Sequence, residues 1–385
     1  MLAVRLVAFL AALVAALLVA APARAHVRAT SVAVDLRSQG DGVTAVVDVE
    51  YDVLGRLLSL DGVLSPDAVG ADGVDGADGA EAEVPTEVRR RSLDAHASEV
   101  AAYVGGRLRL SRSSIGCTAG DDARVELADS GAVRVALAYE CPASGALTVR
   151  SDIFRASDGV VDDTKTMVAY DIDGSRGSTL LDTDRTSATV GDTDLLSEIP
   201  RFAWLGAEHL LFGFDHVLFL LALLLGARRL RDVVEVATAF TVAHSVTLVL
   251  AAIGWVSLPG WIVEPLIALS IAFVALDNLL SPRTSHRLPV VFGFGLLHGL
   301  GFAGALSVDG PLSASTLVDL VSFNVGIELA QLAIIALTFP ALLFLRRAAT
   351  TPPAARALTL GTVAAAVAVA GAGLVWFAER SPLLT

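Results

Sequence analysis

The sequence predicts two parts of different fold class: an extracytoplasmic β-sandwich-like domain, then a membrane all-α six-helix bundle. Three observations carry this. Apolar residues make up 54% of the 385-residue chain and the mean hydropathy is +0.65, both above the soluble norm. These residues gather into long runs from Trp204 onward. Residues 26–200, by contrast, hold 31 Asp and Glu against 16 Lys and Arg, while residues 201–385 hold 10 of each sign. The length alone exceeds one ordinary domain.

The first element is a candidate secretory signal at residues 1–25. Arg5 supplies a positive start, Val7 to Ala21 is uncharged and apolar, and Ala23-Arg24-Ala25 is a small-residue cleavage site. The mature chain is then expected to begin at His26. The competing reading is an uncleaved anchor helix, for which the apolar stretch is short.

The β-rich domain is expected over residues 26–200. Ser31 to Leu36 and Val43 to Val53 alternate in the strand manner. Residues 67–83 are mostly Asp, Gly and Ala and read as a loop. Asp72, Asp75 and Asp78 recur there at a spacing of three, but a calcium loop needs more regular ligands and a closing Glu. Further strands are expected at 107–111, 123–127, 133–139, 146–153, 166–171 and 187–190, a density of short strands that suggests a sandwich. The only cysteines, Cys117 and Cys141, lie in this region. In an exported domain they are expected to pair; two free thiols acting as metal ligands is the alternative. The acidic balance repels phosphate and so argues against nucleic acid as a partner, while it suits cations. No nucleophile motif or phosphate loop is present, and nothing names a protein partner for this domain.

Residues 201–385 divide into six apolar segments, at 204–226, 233–255, 261–280, 288–307, 317–345 and 356–378, each about the ~20 residues that a span requires. The fifth contains Pro340 and is expected to tilt or kink. With the first domain outside, the inner loops hold Arg228, Arg229 and Arg231, then Arg283 and Arg287, then Arg346, Arg347 and Arg356. The outer loops at 254–260 and 308–316 hold no Lys or Arg. The signal and the positive-inside rule therefore agree on a multi-pass protein of the bacterial inner membrane.

Ionisable groups at membrane depth are costly and are functional candidates by default. The first segment carries Glu208, His209, Asp215 and His216; the second Thr241, His244, Ser245 and Thr247; the third Glu264, Ser270, Asp277 and Asn278; the fourth His298; the fifth Asn324, Glu328 and Gln331. Counting ~1.5 Å per residue places Glu208, His209 and Glu264 near the outer ends. Asp215, His216, His244, His298 and Glu328 then fall at the midplane. Glu208 and Asp215 are seven apart, as are His209 and His216, so each pair is expected to share a helix face. Asn324, Glu328 and Gln331 share a face of the fifth helix and support the cluster.

Imidazoles with carboxylates suit a borderline divalent cation: nickel, cobalt, zinc or copper. Ser245, Thr247 and Thr241 are expected only to tie helices together, and Asp277 with Asn278 to cap the third helix. Glycines 293, 295, 299, 301 and 304 are expected to let the fourth helix approach its neighbours closely. No cysteine lies in this part, which excludes a thiolate site.

Four motifs resemble the HupE/UreJ family. They are His209 followed after five residues by Asp215-His216, then 240–248 (FTVAHSVTL), 294–303 (FGLLHGLGFA) and 323–329 (FNVGIEL). The resemblance covers about residues 200–345 and is closest to the long subgroup with an exported N-terminal domain. It implies a nickel or cobalt permease in which the His209–Asp215–His216 motif recognises the metal. Short hydrogenase-linked members carry Pro after the first His, whereas Leu210 follows His209 here. Without an ATP-binding loop, coupling would come from a gradient or a partner. Two other functions fit the same residues. One is an intramembrane metal-dependent hydrolase with Glu328 or Asp215 as base. The other is a non-transporting metal sensor or assembly factor.

The Arg distribution generates a test of topology. Reporters fused after residues 230, 284 and 350 should read cytoplasmic, and those after 257 and 312 external. A single loop on the opposite side ends the six-helix scheme.

Overall fold

The computed structural model describes residues 29–40, 42–60, 86–120, 122–128, 131–191, 195–227, 229–252, 255–256, 258–280, 287–301 and 314–381. The expected signal segment, the Asp-rich loop at 67–83, and Arg228, Arg283 and Gly304 lie outside them.

The N-terminal region is strand-rich. Strands β1 (Ala29–Gln39) and β2 (Gly42–Val49) form an antiparallel hairpin, and β2 buries every second residue, Val43, Ala45, Val47 and Val49. Two sheets are present among the described residues. One runs β10-β9-β1-β2-β7-β5 with β6 (Arg124–Leu127) also on β7, where β5 is Thr118–Ala119, β7 Val133–Glu140, β9 Asp163–Ile172 and β10 Ser175–Leu181. The other runs β11-β8-β3-β4, where β3 is Leu108–Arg112, β4 Ile115–Gly116, β8 Leu147–Ser151 and β11 Ser187–Thr189. Cys117 and Cys141 form a disulfide across the β5–β7 pair, with Cα atoms 4.4 Å apart.

The region is a mixed β region, and in two respects the expected β-sandwich is not confirmed. Strands β1 and β9 run parallel. Helices α1 (Tyr51–Leu58) and α2 (Thr86–Arg107) also enter the region, α1 taking the end of the segment read as strand. One apolar cluster joins β1, β2, β3, β7, β8 and α2 through Val32, Val47, Leu110, Val135, Val149 and Val104. Helix α2 was not legible because its buried positions are few: Ser92, Leu93, Val100 and Val104 along 22 residues.

The C-terminal part is helical: α3 (Leu195–Phe212), α4 (Phe214–Gly226), α5 (Leu230–Ala252), α6 (Gly260–Leu280), α7 (Arg287–Gly301), α8 (Ala314–Ala348) and α9 (Pro352–Arg380). Among the described residues four helices, α5, α6, α8 and α9, are long and apolar enough to cross a membrane. The predicted first span is not continuous. It is a pair, α3 and α4, bent by 69° at Gly213, and counts as a fifth span if taken together. Helix α7 has 15 described residues, fewer than a span requires, and the rest of the predicted fourth segment is not among the described residues.

The helices pack mainly as α3 on α8, α5 on α7 and α6 on α9, with α4 against α6. Small residues permit the close contacts. A Cβ on Gly206 would overlap the Phe323 carbonyl, and one on Gly326 the Ala203 carbonyl. Gly295 and Gly299 do the same service between α7 and α5, whereas Gly293 faces open space. The C-terminal carbonyls of α4 are satisfied from three directions. Asn278 donates to Ala222 at 2.6 Å, Arg287 to Gly226 at 3.2 Å, and Arg346 to Leu225 at 3.2 Å. Asn278 thus caps α4 rather than its own helix.

Strands β9 and β10 dock on the ends of α3 and α8. Met167 and Leu180 share an apolar cluster with Phe202, Leu320 and Phe323. Around it, buried Ser178 donates to Asp319 at 2.6 Å, and Glu198 accepts from the Leu180 N–H and Thr179 and pairs with Arg185. Arg201 pairs with Asp182 at 2.5 Å.

Within the β region, Asp152 is 3% exposed and meets Arg150 at 3.1 Å, Arg109 at 3.6 Å and Arg155. Burial alone would raise its pKa, but hydrogen bonds from Arg155 and Arg150 outweigh this and hold the carboxyl below its ordinary value. A lowered carboxyl pKa stabilises the fold fully above the unfolded value of ~3.9, and that stability is lost as pH falls through the lowered value. Asp152→Asn should cost about 1–3 kcal/mol at neutral pH and flatten the acid limb of the stability profile, measured as hydrogen exchange of β8 in the full chain. An unchanged acid limb would refute this.

Candidate functional site

The break at Gly213 creates the site. In an unbroken helix His209 and His216 would stand ~10 Å apart along the axis. The bend instead brings their rings into edge contact, with centroids 4.8 Å apart. The expectation that these two, and Glu208 with Asp215, share one helix face is therefore corrected: each pair straddles two helices. The break leaves little unsatisfied, since the Gly213 N–H donates to His209 at 2.9 Å and the Val217 N–H to Gly213 at 3.1 Å. Glycine is required here by contact. A Cβ would come 2.5 Å from the His209 carbonyl and 2.8 Å from His216 Nδ1.

Two more imidazoles close on this pair. His244 of α5 lies 6.1 Å from His209 and 5.8 Å from His216, ring to ring, and His298 of α7 lies 5.2 Å from His216. His244 and His298 are each 1% exposed. Phe240, Phe219 and Phe323 wall the group, with Phe240 and Phe219 at 5.0 and 5.2 Å from His298 and Phe323 at 5.5 Å from His209. Both ring nitrogens of His216 and of His244 are buried without a hydrogen-bond partner. Such groups are unusual in folded proteins, and they make this cluster a candidate site.

The tautomer of His298 follows from Ser270. The Ser270 hydroxyl donates to the Ile267 carbonyl at 2.6 Å, so towards His298 Nε2, 3.0 Å away, it accepts. The proton therefore sits on Nε2, and the buried, unpartnered Nδ1 keeps its lone pair for a ligand.

The carboxylates are held elsewhere. Asp215 pairs with Arg380 at the end of α9, both oxygens lying 3.2 Å from one guanidinium nitrogen. Glu328 accepts from Thr238 at 2.7 Å and keeps its other oxygen buried without a partner. Gln331 accepts from Thr241 at 3.0 Å, and Asn324 donates to the Leu320 carbonyl at 2.8 Å. Glu208 accepts from Trp204 at 2.6 Å and meets Lys165 of β9 at 3.5 Å, at the edge of a cavity of about 240 Å³. Glu264 is exposed on α6 beside Pro265. Ser245 and Thr247 return their hydroxyls to carbonyls of their own helix, at 2.7 and 3.3 Å.

The structure thus brings together four imidazoles from four helices, with Asp215 and Glu328 turned to other partners. Among the described residues no three His, Cys, Asp or Glu side chains form a ready-made metal cage. Sequence reasoning missed Arg380, Thr238 and Gly213. The glycine inside an apolar helical pattern was a readable signal for a break. Nothing in the linear chain ties Arg380 to a residue 165 positions away.

The family profile described as HupE / UreJ protein matches residues 185–380. No curated protein matches the chain.

The glycine contacts yield a test. Gly213→Ala should lower stability in detergent by about 1–3 kcal/mol through overpacking. Gly293→Ala, into open space, should stay within about 0.5 kcal/mol. Equal effects in an unfolding titration would show that the break imposes no close contact.

Proposed function

The chain belongs to the HupE/UreJ family, a transporter-type family associated with nickel and cobalt; from that premise we propose that it is a permease for a divalent transition-metal ion, nickel or cobalt. The observation that carries this reading is the gathering of four imidazoles across a broken helix, walled by aromatic rings. Neutral imidazole nitrogens are good ligands for borderline cations, and carboxylates supply the compensating charge. Discontinuous helices are a recurrent way to build an ion site at membrane depth, because the break presents helix ends and turned side chains without exposing backbone to lipid.

On this reading the strand-rich region is exported and sits at the outer mouth, where a disulfide between Cys117 and Cys141 persists. The metal enters past Glu208, with Glu264 as a further outer carboxylate, and reaches His209. It then passes to His216, His244 and His298, with Asp215 and Glu328 as the charged members. Depth follows from helix lengths. Helix α4 runs 13 residues, ~20 Å, from the break to its Arg-capped end. In a hydrocarbon layer of ~30 Å that length brings the break to membrane depth, as the midplane reading requires.

On this reading the carboxylates and imidazoles exchange partners as the ion passes, and each exchange is a step in passage. Replacing His216 or Asp215 by Ala should lower uptake of labelled nickel or cobalt into vesicles by about ten-fold or more, normalised to protein inserted in the membrane. Ser245→Ala should change it far less. Wild-type rates for both His216→Ala and Asp215→Ala would leave the permease reading without its basis.

A further inference from the structure

We infer that Arg380 is a built-in counter-cation that occupies Asp215 in the resting protein and is exchanged for the arriving metal ion, so that it sets both affinity and release. This rests on the permease reading and goes beyond it by naming what the metal displaces. Asp215 and Arg380 come from α4 and α9, 165 residues apart, and their side chains are 24% and 23% exposed. A carboxylate so placed needs a cation, since leaving it alone at membrane depth is costly. Arg380 supplies that charge from the last residue of its helix.

Three features make it exchangeable rather than a fixed strut. A guanidinium at a helix end is long enough to reach the interface once released. It already lies over a second partner, the Trp376 ring one turn back, with its centre 5.3 Å from the ring centroid. A proposed metal ligand, His216, is the next residue of the same helix, and its ring nitrogens are buried and without partners. An incoming divalent ion can therefore take Asp215 while the guanidinium keeps the Trp376 face. The outer carboxylate repeats the arrangement: Glu208 meets Lys165, a cation of the β region, at 3.5 Å. Both acids beside the two histidines of the break are thus held by the chain's own cations.

The exchange also accounts for release. A site of carboxylate and imidazoles alone would bind a borderline divalent ion tightly, and tight binding slows a carrier. Return of Arg380 to Asp215 competes with the ion and lowers its affinity by the fraction of time the pair is closed.

The test uses the full chain in detergent and in proteoliposomes, with nickel(II) as the probe. In the wild type, nickel should speed modification of Arg380 by phenylglyoxal, mapped by mass spectrometry, because the ion pair opens. Arg380→Gln should bind nickel on the order of ten-fold more tightly, yet turn over more slowly at saturating nickel. Arg380→Lys should restore values near wild type. In an Asp215→Asn background, Arg380→Gln should add no tightening. Nickel that binds without changing Arg380 reactivity overturns the inference, and this reading needs no variant to fold. So does Arg380→Gln that binds no more tightly than wild type. Wild-type protein that binds nickel and frees Arg380 but takes up none would instead refute the permease reading and leave the exchange standing.

Discussion

The helical part depends on one constraint: a helix interrupted among apolar neighbours must leave no backbone group without a partner. At Gly213 the chain goes most of the way by turning 69° while the N–H groups of Gly213, His216 and Val217 keep local acceptors. The turn lets α3 follow α8 while α4 follows α6, so the break becomes the point where three helix pairs meet. His209 arrives with the first pair, His244 and His298 with the second, and Asp215 reaches the third through Arg380. The close approaches at Gly206, Gly326, Gly295 and Gly299 hold those pairs tight enough for the imidazoles to touch.

Much of this was legible along the chain, for identifiable reasons. Apolar runs of about twenty residues identify α5, α6, α8 and α9 because the bilayer sets a length. Alternation identified β2, β7 and β8, each buried at every second position. The four histidines were picked out because polar groups are rare in such runs. What was not legible depends on partners remote in sequence. Strand β10 carries the mixed run of Ser175–Leu181 and is ordered by pairing with β9 and by docking on α8. The parallel pairing of β1 with β9 spans more than a hundred residues and leaves no local mark. Arg380 looks like an ordinary interfacial flank until Asp215 is placed beside it.

The aromatic wall changes how the charges work. Phe219, Phe240 and Phe323 keep the imidazoles in a medium of low polarity, where a charge is felt strongly and an unpaired one is costly. In such a medium the protein cannot leave acids bare to attract a cation. It must keep them paired internally or turned to hydroxyl donors, as Asp215 is to Arg380 and Glu328 to Thr238. On the proposed permease reading, selectivity resides in the imidazoles, which alkali and alkaline-earth ions ligate poorly, rather than in net negative charge.

The docking of β10 on α8 reaches across the chain in time as well as in space. Ser178 and Asp319 are 141 residues apart. At ribosomal rates of ~5–20 residues per second, the strand-rich region emerges many seconds before its seat on α8 exists. Until then Met167 and Leu180 have only the α3 side of their cluster, with Phe202, and Ser178 lacks its acceptor Asp319. Closure of that seam is therefore a late assembly event. The seam ties the penultimate helix to two of the later strands, so a chain ending before α8 would leave Ser178 without Asp319 and the strand face without Leu320 and Phe323.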